Sequence, residues 1–254
     1  MKVDSREIKC HLKAREGTYQ KLSDFSIDET KSGSAITTTV RHSLAMPVVD
    51  VIDFEHEGGS VVYCTGKDVY HYKLGGVKSE TYVDRRSYKG GALPSSLSIC
   101  PESSINPEYL LVAIGFTAGQ LQIIDMMAQD ESRRSLQKIN DERTFDSGAV
   151  TVIQWLPGST RKLLAANDKG MVYMYNINMS DAGTFIAPVA KYATNAPFPI
   201  TQHINERAGN PEQKWSIGSA PITAMEFAPC GEKLSIASRN GYCLVLKVLR
   251  LIWK

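Results

Sequence analysis

Apolar residues in this chain fall into short β-rich runs cut by glycine turns. Residues 48–52, 61–64 and 69–72 are such runs, separated by Glu57-Gly58-Gly59 and Gly66-Lys67-Asp68. Runs of this length, rich in valine and tyrosine and bounded by turn residues, predict strands. A second unit repeats the order. Residues 97–101 form its first strand, residues 110–115 a second that is apolar on both faces and therefore buried, and Thr117-Ala118-Gly119 turns into residues 121–125.

The pattern then becomes explicit repetition. Val150-Thr151-x-Ile153-Gln154-Trp155-x-Pro157 returns as Ile222-Thr223-x-Met225-Glu226-Phe227-x-Pro229. Each copy continues into a small-residue strand, a turn and an apolar strand. Gly119, Gly170 and Gly241 occupy the same place before the last strand of their units, where a tight hairpin calls for positive φ. A unit repeated at this scale predicts an all-β, WD40-type β-propeller rather than a sandwich. The blades are expected at about 47–90, 91–145, 146–178 and 216–254. The interval between the third and fourth repeats exceeds the roughly 40–45 residues of one blade. Its excess, about 179–215, carries Pro188, Pro197, Pro199 and Pro211 and reads as a surface insertion. Residues 1–46 are polar and without period, an N-terminal extension that lends a strand to the propeller. About four blades and this extension fill the 254 residues, so the ring is expected to be incomplete and C-terminally truncated, with two uncovered blade faces.

Composition narrows the function. At 43% apolar residues the chain can build a core, and 29 basic against 27 acidic residues leave a net charge of +2. That balance argues against nucleic acid or a membrane surface as partner. The five cysteines are scattered without a C-x-x-C pair, the N-terminus lacks an apolar signal region, and no long apolar run occurs. A reduced, non-secreted protein of the cytoplasm and nucleus is expected. No nucleophile elbow or zinc-binding motif is present, and the five histidines never pair at ligand spacing. No catalytic residue, cofactor, metal or small-molecule substrate is therefore assigned, and the chain reads as a non-enzymatic binding module. An enzyme would need convergent carboxylates or histidines on the innermost strands.

Asp168 is the candidate for the buried turn acid that ties blade strands together; Thr117 and Arg239, its counterparts, lack the same side-chain chemistry. Trp215, at the close of the insertion, and Arg239 are the candidate partner contacts, since tryptophan and arginine dominate interface energetics. Trp155 recurs as Phe227 and belongs to the core. Arg85-Arg86-Ser87 and Arg133-Arg134-Ser135 resemble sites of arginine-directed kinases, with solvated loop charge as the plainer reading.

Several segments together resemble one family. These are Arg15-Glu16-Gly17-Thr18-Tyr19, Arg85-Arg86-Ser87-Tyr88-Lys89-Gly90, the run from Gly115 through Gln120 to Asp125, and Asn140-Asp141-Glu142-Arg143. Trp155-Leu156-Pro157-Gly158-Ser159 and Lys214-Trp215-Ser216-Ile217-Gly218 complete the set. In this order, from about residue 11 to 246, they are similar to the WD repeat-containing protein 20 family, which takes in the dystrophia myotonica WD-repeat and fungal CreC-like adaptors. The resemblance implies a WD-repeat scaffold that binds and activates a ubiquitin-specific protease alongside a second WD-repeat activator. Family members grip the protease mostly beyond the segment matched here, so no contact residue carries over. A propeller serving another complex, or a non-functional truncated isoform, is the alternative. The blade-closing Trp-Asp pair of the repeat is replaced by Ile124-Asp125, Tyr175-Asn176 and Leu246-Lys247.

Overall fold

The computed structural model describes residues 48–54, 58–73, 84–104, 108–130, 135–183, 185, 191–193 and 200–247. The N-terminal extension and its expected strand lie outside the described residues, as do Arg133 and Arg134. Strands dominate, with one short 3-10 turn at Pro101–Ser104 among the described residues. Four antiparallel sheets follow one another along the chain.

The first sheet holds β1 (Val48–Phe54), β2 (Gly58–Thr65), β3 (Asp68–Lys73) and β4 (Asp84–Ser87), in that order. The second holds β5 (Pro94–Ile99), β6 (Leu111–Phe116), β7 (Leu121–Asp125) and β8 (Ser135–Ile139). The third begins with β9 (Val150–Trp155), β10 (Lys162–Asn167) and β11 (Met171–Asn176), then continues through β14 (Gln213–Ile217), β13 (Ile200–Ile204) and β12 (Lys191–Ala193). The fourth holds β15 (Ile222–Phe227), β16 (Lys233–Ser238) and β17 (Cys243–Lys247). The interval expected as a surface insertion is thus not loop throughout. It supplies β12 and β13 and the start of β14, which pairs with β11 through Val172 opposite Trp215. The alternation Gln213, Trp215, Ile217 on a buried face is the strand signal there, and the surrounding prolines mask it.

The first strands β1, β5, β9 and β15 lie beside one another and form the inner wall. Three polar ties bind them, one of them from the Ser95 hydroxyl to the Val150 carbonyl at 2.7 Å. The Ile99 amide donates to Asp50 Oδ2 at 2.7 Å, and the Trp155 indole donates to the Ser98 carbonyl at 3.1 Å. Trp155 is 2% exposed, so its burial gains apolar area while its one donor stays satisfied.

Each gap between successive sheets is filled by one apolar core. Ile52, Val62 and Val69 of the first sheet meet Ile99, Val112 and Ile114 of the second. Leu111, Ala113 and Ile123 meet Trp155, Leu163, Ala165 and Tyr173. Leu164, Ala166, Val172, Met174 and Trp215 meet Ile222, Met225, Phe227, Leu234 and Ile236. Period two sorts the side chains: in β10, Leu163 and Ala165 go to one core and Leu164 and Ala166 to the other.

A bulge opens the inner strand in three sheets, and the extra residue is each time a hydroxyl one. Ser95, Thr151 and Thr223 fall at register shifts against β6, β10 and β16. The Thr151 and Thr223 hydroxyls donate across to the carbonyls of Ala166 and Ala237, each at 3.3 Å. The Ser95 hydroxyl lies 3.3 Å from the Gly115 carbonyl and makes its shorter bond, 2.7 Å, to the Val150 carbonyl of the next inner strand. The threonine of the repeated sequence is therefore a bulge residue, whose hydroxyl serves a carbonyl that the disrupted ladder leaves short of a partner.

Leu164 is fully buried between the third and fourth sheets. Leu164→Ala is expected to cost about 2–5 kcal/mol, read from chemical denaturation.

Candidate functional site

The turns joining the second and third strands of each sheet gather at one end of the molecule. In the last three sheets the first turn residue donates its backbone amide to the carbonyl just before the inner strand. Thr117 donates to Leu93 at 2.9 Å, Asp168 to Ala149 at 3.0 Å and Arg239 to Pro221 at 2.8 Å. The three counterparts thus make the same tie through the main chain, whatever their side chains.

Gly119 and Gly170 add a second constraint. Both have positive φ, 84° and 77°. A Cβ on Gly119 would lie 2.8 Å from the Asp146 carbonyl, and one on Gly170 would lie 2.8 Å from that of Gly218. Both glycines therefore let a turn pack against the connection into the following sheet. Gly241 also has positive φ, 86°, with open space around it.

Asp168 is exposed, which corrects its expected role as the buried turn acid. The buried turn residue is its neighbour Asn167, 3% exposed, and the acid comes from the β8–β9 connection as Asp146. Asp146 Oδ2 accepts from the Tyr173 hydroxyl at 2.6 Å and from Asn167 Nδ2 at 2.7 Å. Its Oδ1 accepts from the Gly148 amide at 2.7 Å and from Lys169 Nζ at 3.1 Å. Burial alone would raise the Asp146 pKa, but these hydrogen bonds and the Lys169 charge outweigh it and hold the carboxyl below its ordinary range. Burial, and then the Asp146 hydrogen bond, push the Tyr173 phenol far up, so it stays a donor.

Asn140, fully buried with φ of 56°, extends the node. Its Nδ2 donates to the carbonyls of Gly119 and Asp146, and its amide donates to Asp181 Oδ2 at 2.7 Å. Burial raises the Asp181 pKa despite that bond, and its Oδ1 is enclosed without a hydrogen-bond partner. Sequence reasoning missed Asn140, Asp146 and Asn167. The available signal was a cluster of short polar residues around Gly148, of the kind that caps turns.

Trp215 is 4% exposed within the core between the third and fourth sheets. Its place opposite Val172 makes it a packing residue rather than a surface contact, and this corrects the expectation. Arg239 is exposed on the turn end, together with Lys67, Thr117, Lys169 and Asn240. His71 is fully buried, its Nε2 lies 3.0 Å from Ser60 Oγ, and burial lowers its pKa. Among the described residues no group of three or more His, Cys, Asp or Glu side chains is placed to hold a metal ion. Among them too, no helix is long and apolar enough to cross a membrane.

Successive antiparallel sheets of three to six strands, with their first strands side by side and sealed by inter-sheet cores, define a WD40-type β-propeller architecture of about four blades. A solved chain of ctPRC2 in complex with H3K27me3 and H3K27M shares this fold, with a TM-score of 0.51 at 10% identity over 79% of this chain and 37% of that one. The chain is similar in sequence to WD repeat-containing protein 20. It is 27% identical to the Mus musculus protein over 95% of its own length, and 28% identical to the Caenorhabditis elegans homolog over 85%. It spans only 42% and 30% of the lengths of those relatives. No family model matches.

The Asp146 node has a signed pH dependence. Because its carboxyl titrates below the ordinary value of about 3.9, its stabilisation is full above that pH and is lost as pH falls through the depressed value. Asp146→Asn is expected to cost about 1.5–3 kcal/mol at pH 7. The gap from wild type should narrow below about pH 4 in denaturation curves collected across pH.

Proposed function

We propose that the chain is a non-catalytic WD-repeat scaffold that binds and activates a ubiquitin-specific protease, alongside a second WD-repeat protein, in the cytoplasm and nucleus. Support for the scaffold reading comes from the sequence relatives and from the use made of polar side chains. Asp146, Tyr173, Asn140 and Asn167 are spent on holding turns and connections together. The observation that carries the reading is the exposed turn end, where Lys67, Lys169 and Arg239 stand on a frame fixed by backbone ties. Support for the protease as partner comes from the family resemblance.

Affinity capture of the tagged chain from its own cells, read by mass spectrometry, is expected to recover a ubiquitin-specific protease. Recovery of chaperonin and folding factors alone would contradict the reading. Lys67→Glu with Arg239→Glu is expected to weaken capture at least about tenfold at unchanged thermal stability, because exposed charges set association more than folding.

A further inference from the structure

We propose that Ser87 is a phosphoacceptor for an arginine-directed serine kinase, and that its phosphorylation unlatches β4 from the turn between β2 and β3.

The strand β4 has four residues, Asp84-Arg85-Arg86-Ser87, and is the outermost strand of its sheet, paired through β3 alone. Two guanidinium groups directly precede the serine, and Ser87 is exposed. An acidic kinase cleft can read Arg85, 44% exposed on this short edge strand, whereas Arg86 is only 14% exposed beside Asp84. The latch is local. Ser87 Oγ donates to Asp68 Oδ1, Arg85 Nη2 donates to Asp68 Oδ2 at 3.1 Å, and the Tyr88 amide donates to the Lys67 carbonyl at 2.9 Å. The Ser87 hydrogen bond leads the effects that hold the Asp68 carboxyl below its ordinary range, burial opposes it, and Arg85 and Lys67 add to it.

Phosphorylation inverts this latch. The Ser87 oxygen bonds to the γ-phosphorus of ATP, the bond from that phosphorus to the β,γ-bridging oxygen breaks, ADP leaves, and the hydroxyl proton passes to the kinase base. The donor facing Asp68 is gone. In its place stands a group of about −1.5 to −2 charge at pH 7, beside a carboxylate that is already ionised. Arg85 must then be shared between two anions, while Arg86 lies 3.8 Å from Asp84. Tyr88, the next residue, packs edge-on against Phe116 with centroids 5.0 Å apart. With Ala92, Phe116, Gln122 and Lys138 it lines a cavity of about 220 Å³. Loosening β4 therefore widens a groove beside the second sheet.

The test uses the full chain, ATP and the catalytic subunit of cAMP-dependent kinase, with sites mapped by mass spectrometry and the peptide of residues 84–93 as comparator. Label is expected on Ser87 and absent from Ser87→Ala. Hydrogen exchange at the Tyr88 amide should accelerate about tenfold or more on phosphorylation. Ser87→Ala, which loses the hydrogen bond without gaining charge, should accelerate it less, and Asp68→Asn should reduce the acceleration caused by phosphate. Absence of label on Ser87 of the chain, whether or not the peptide accepts it, would overturn the assignment. An unchanged Tyr88 exchange rate in the labelled chain, or equal acceleration in Ser87→Ala, would overturn the unlatching.

Discussion

Burial of both faces of the middle sheets is the constraint on which the rest depends. A strand with solvent on one side can place polar residues there, but β6 and β10 have no such side. All six residues of β6 are buried, as are the last five of β10. Their odd and even positions go to different cores, so a slip of one residue would exchange the contents of two inter-sheet gaps at once. The hydroxyl-bearing bulges at Ser95, Thr151 and Thr223 set that register at the start of each inner strand. Stability then becomes a property of neighbours, because no interior sheet can bury its apolar area alone.

The same constraint decides what is left for function. Groups with chemical potential in the interior are committed to structure: His71 faces Ser60, Tyr173 faces Asp146, and Asp50 accepts the Ile99 amide. Each of these makes a hydrogen bond that offsets much of the cost of burying it, while His71 Nδ1 is enclosed without a partner. Partners are left with turns and outer strands. There the side chains are exposed while the main chain is held, as at Arg239. A rigid frame carrying variable turn residues suits recognition, since loops on a fixed scaffold concentrate binding function.

Much of the fold was legible because propeller physics writes itself as period two and as repetition. The run at residues 110–115 announced a strand with two buried faces, and the Val150-Thr151 and Ile222-Thr223 copies announced equivalent inner strands. The third copy, at Ser95, escaped because Pro94-Ser95-Ser96 shares the hydroxyl but not the apolar flanks. The strands within residues 191–217 escaped because prolines and glycines between them read as loop, while pairing to β11 is a long-range contact that no local pattern encodes. The buried acid was placed at Asp168 by local analogy; the connection between sheets supplies Asp146 instead, more than twenty positions upstream. Trp215 read as a contact because its neighbours are turn-like, but alternation with Gln213 and Ile217 turns it inward.

The central claim is that the sheets share their cores and therefore unfold together. Trp155 lies in the core between the second and third sheets, and Trp215 in the core between the third and fourth. Equilibrium urea unfolding, followed by fluorescence in variants that keep one of these tryptophans, tests the claim directly. Coincident midpoints and equal slopes from the two probes are the expected result once each variant's own stability change, measured by circular dichroism, is subtracted. Separate midpoints, with one core lost while the other persists, would contradict it.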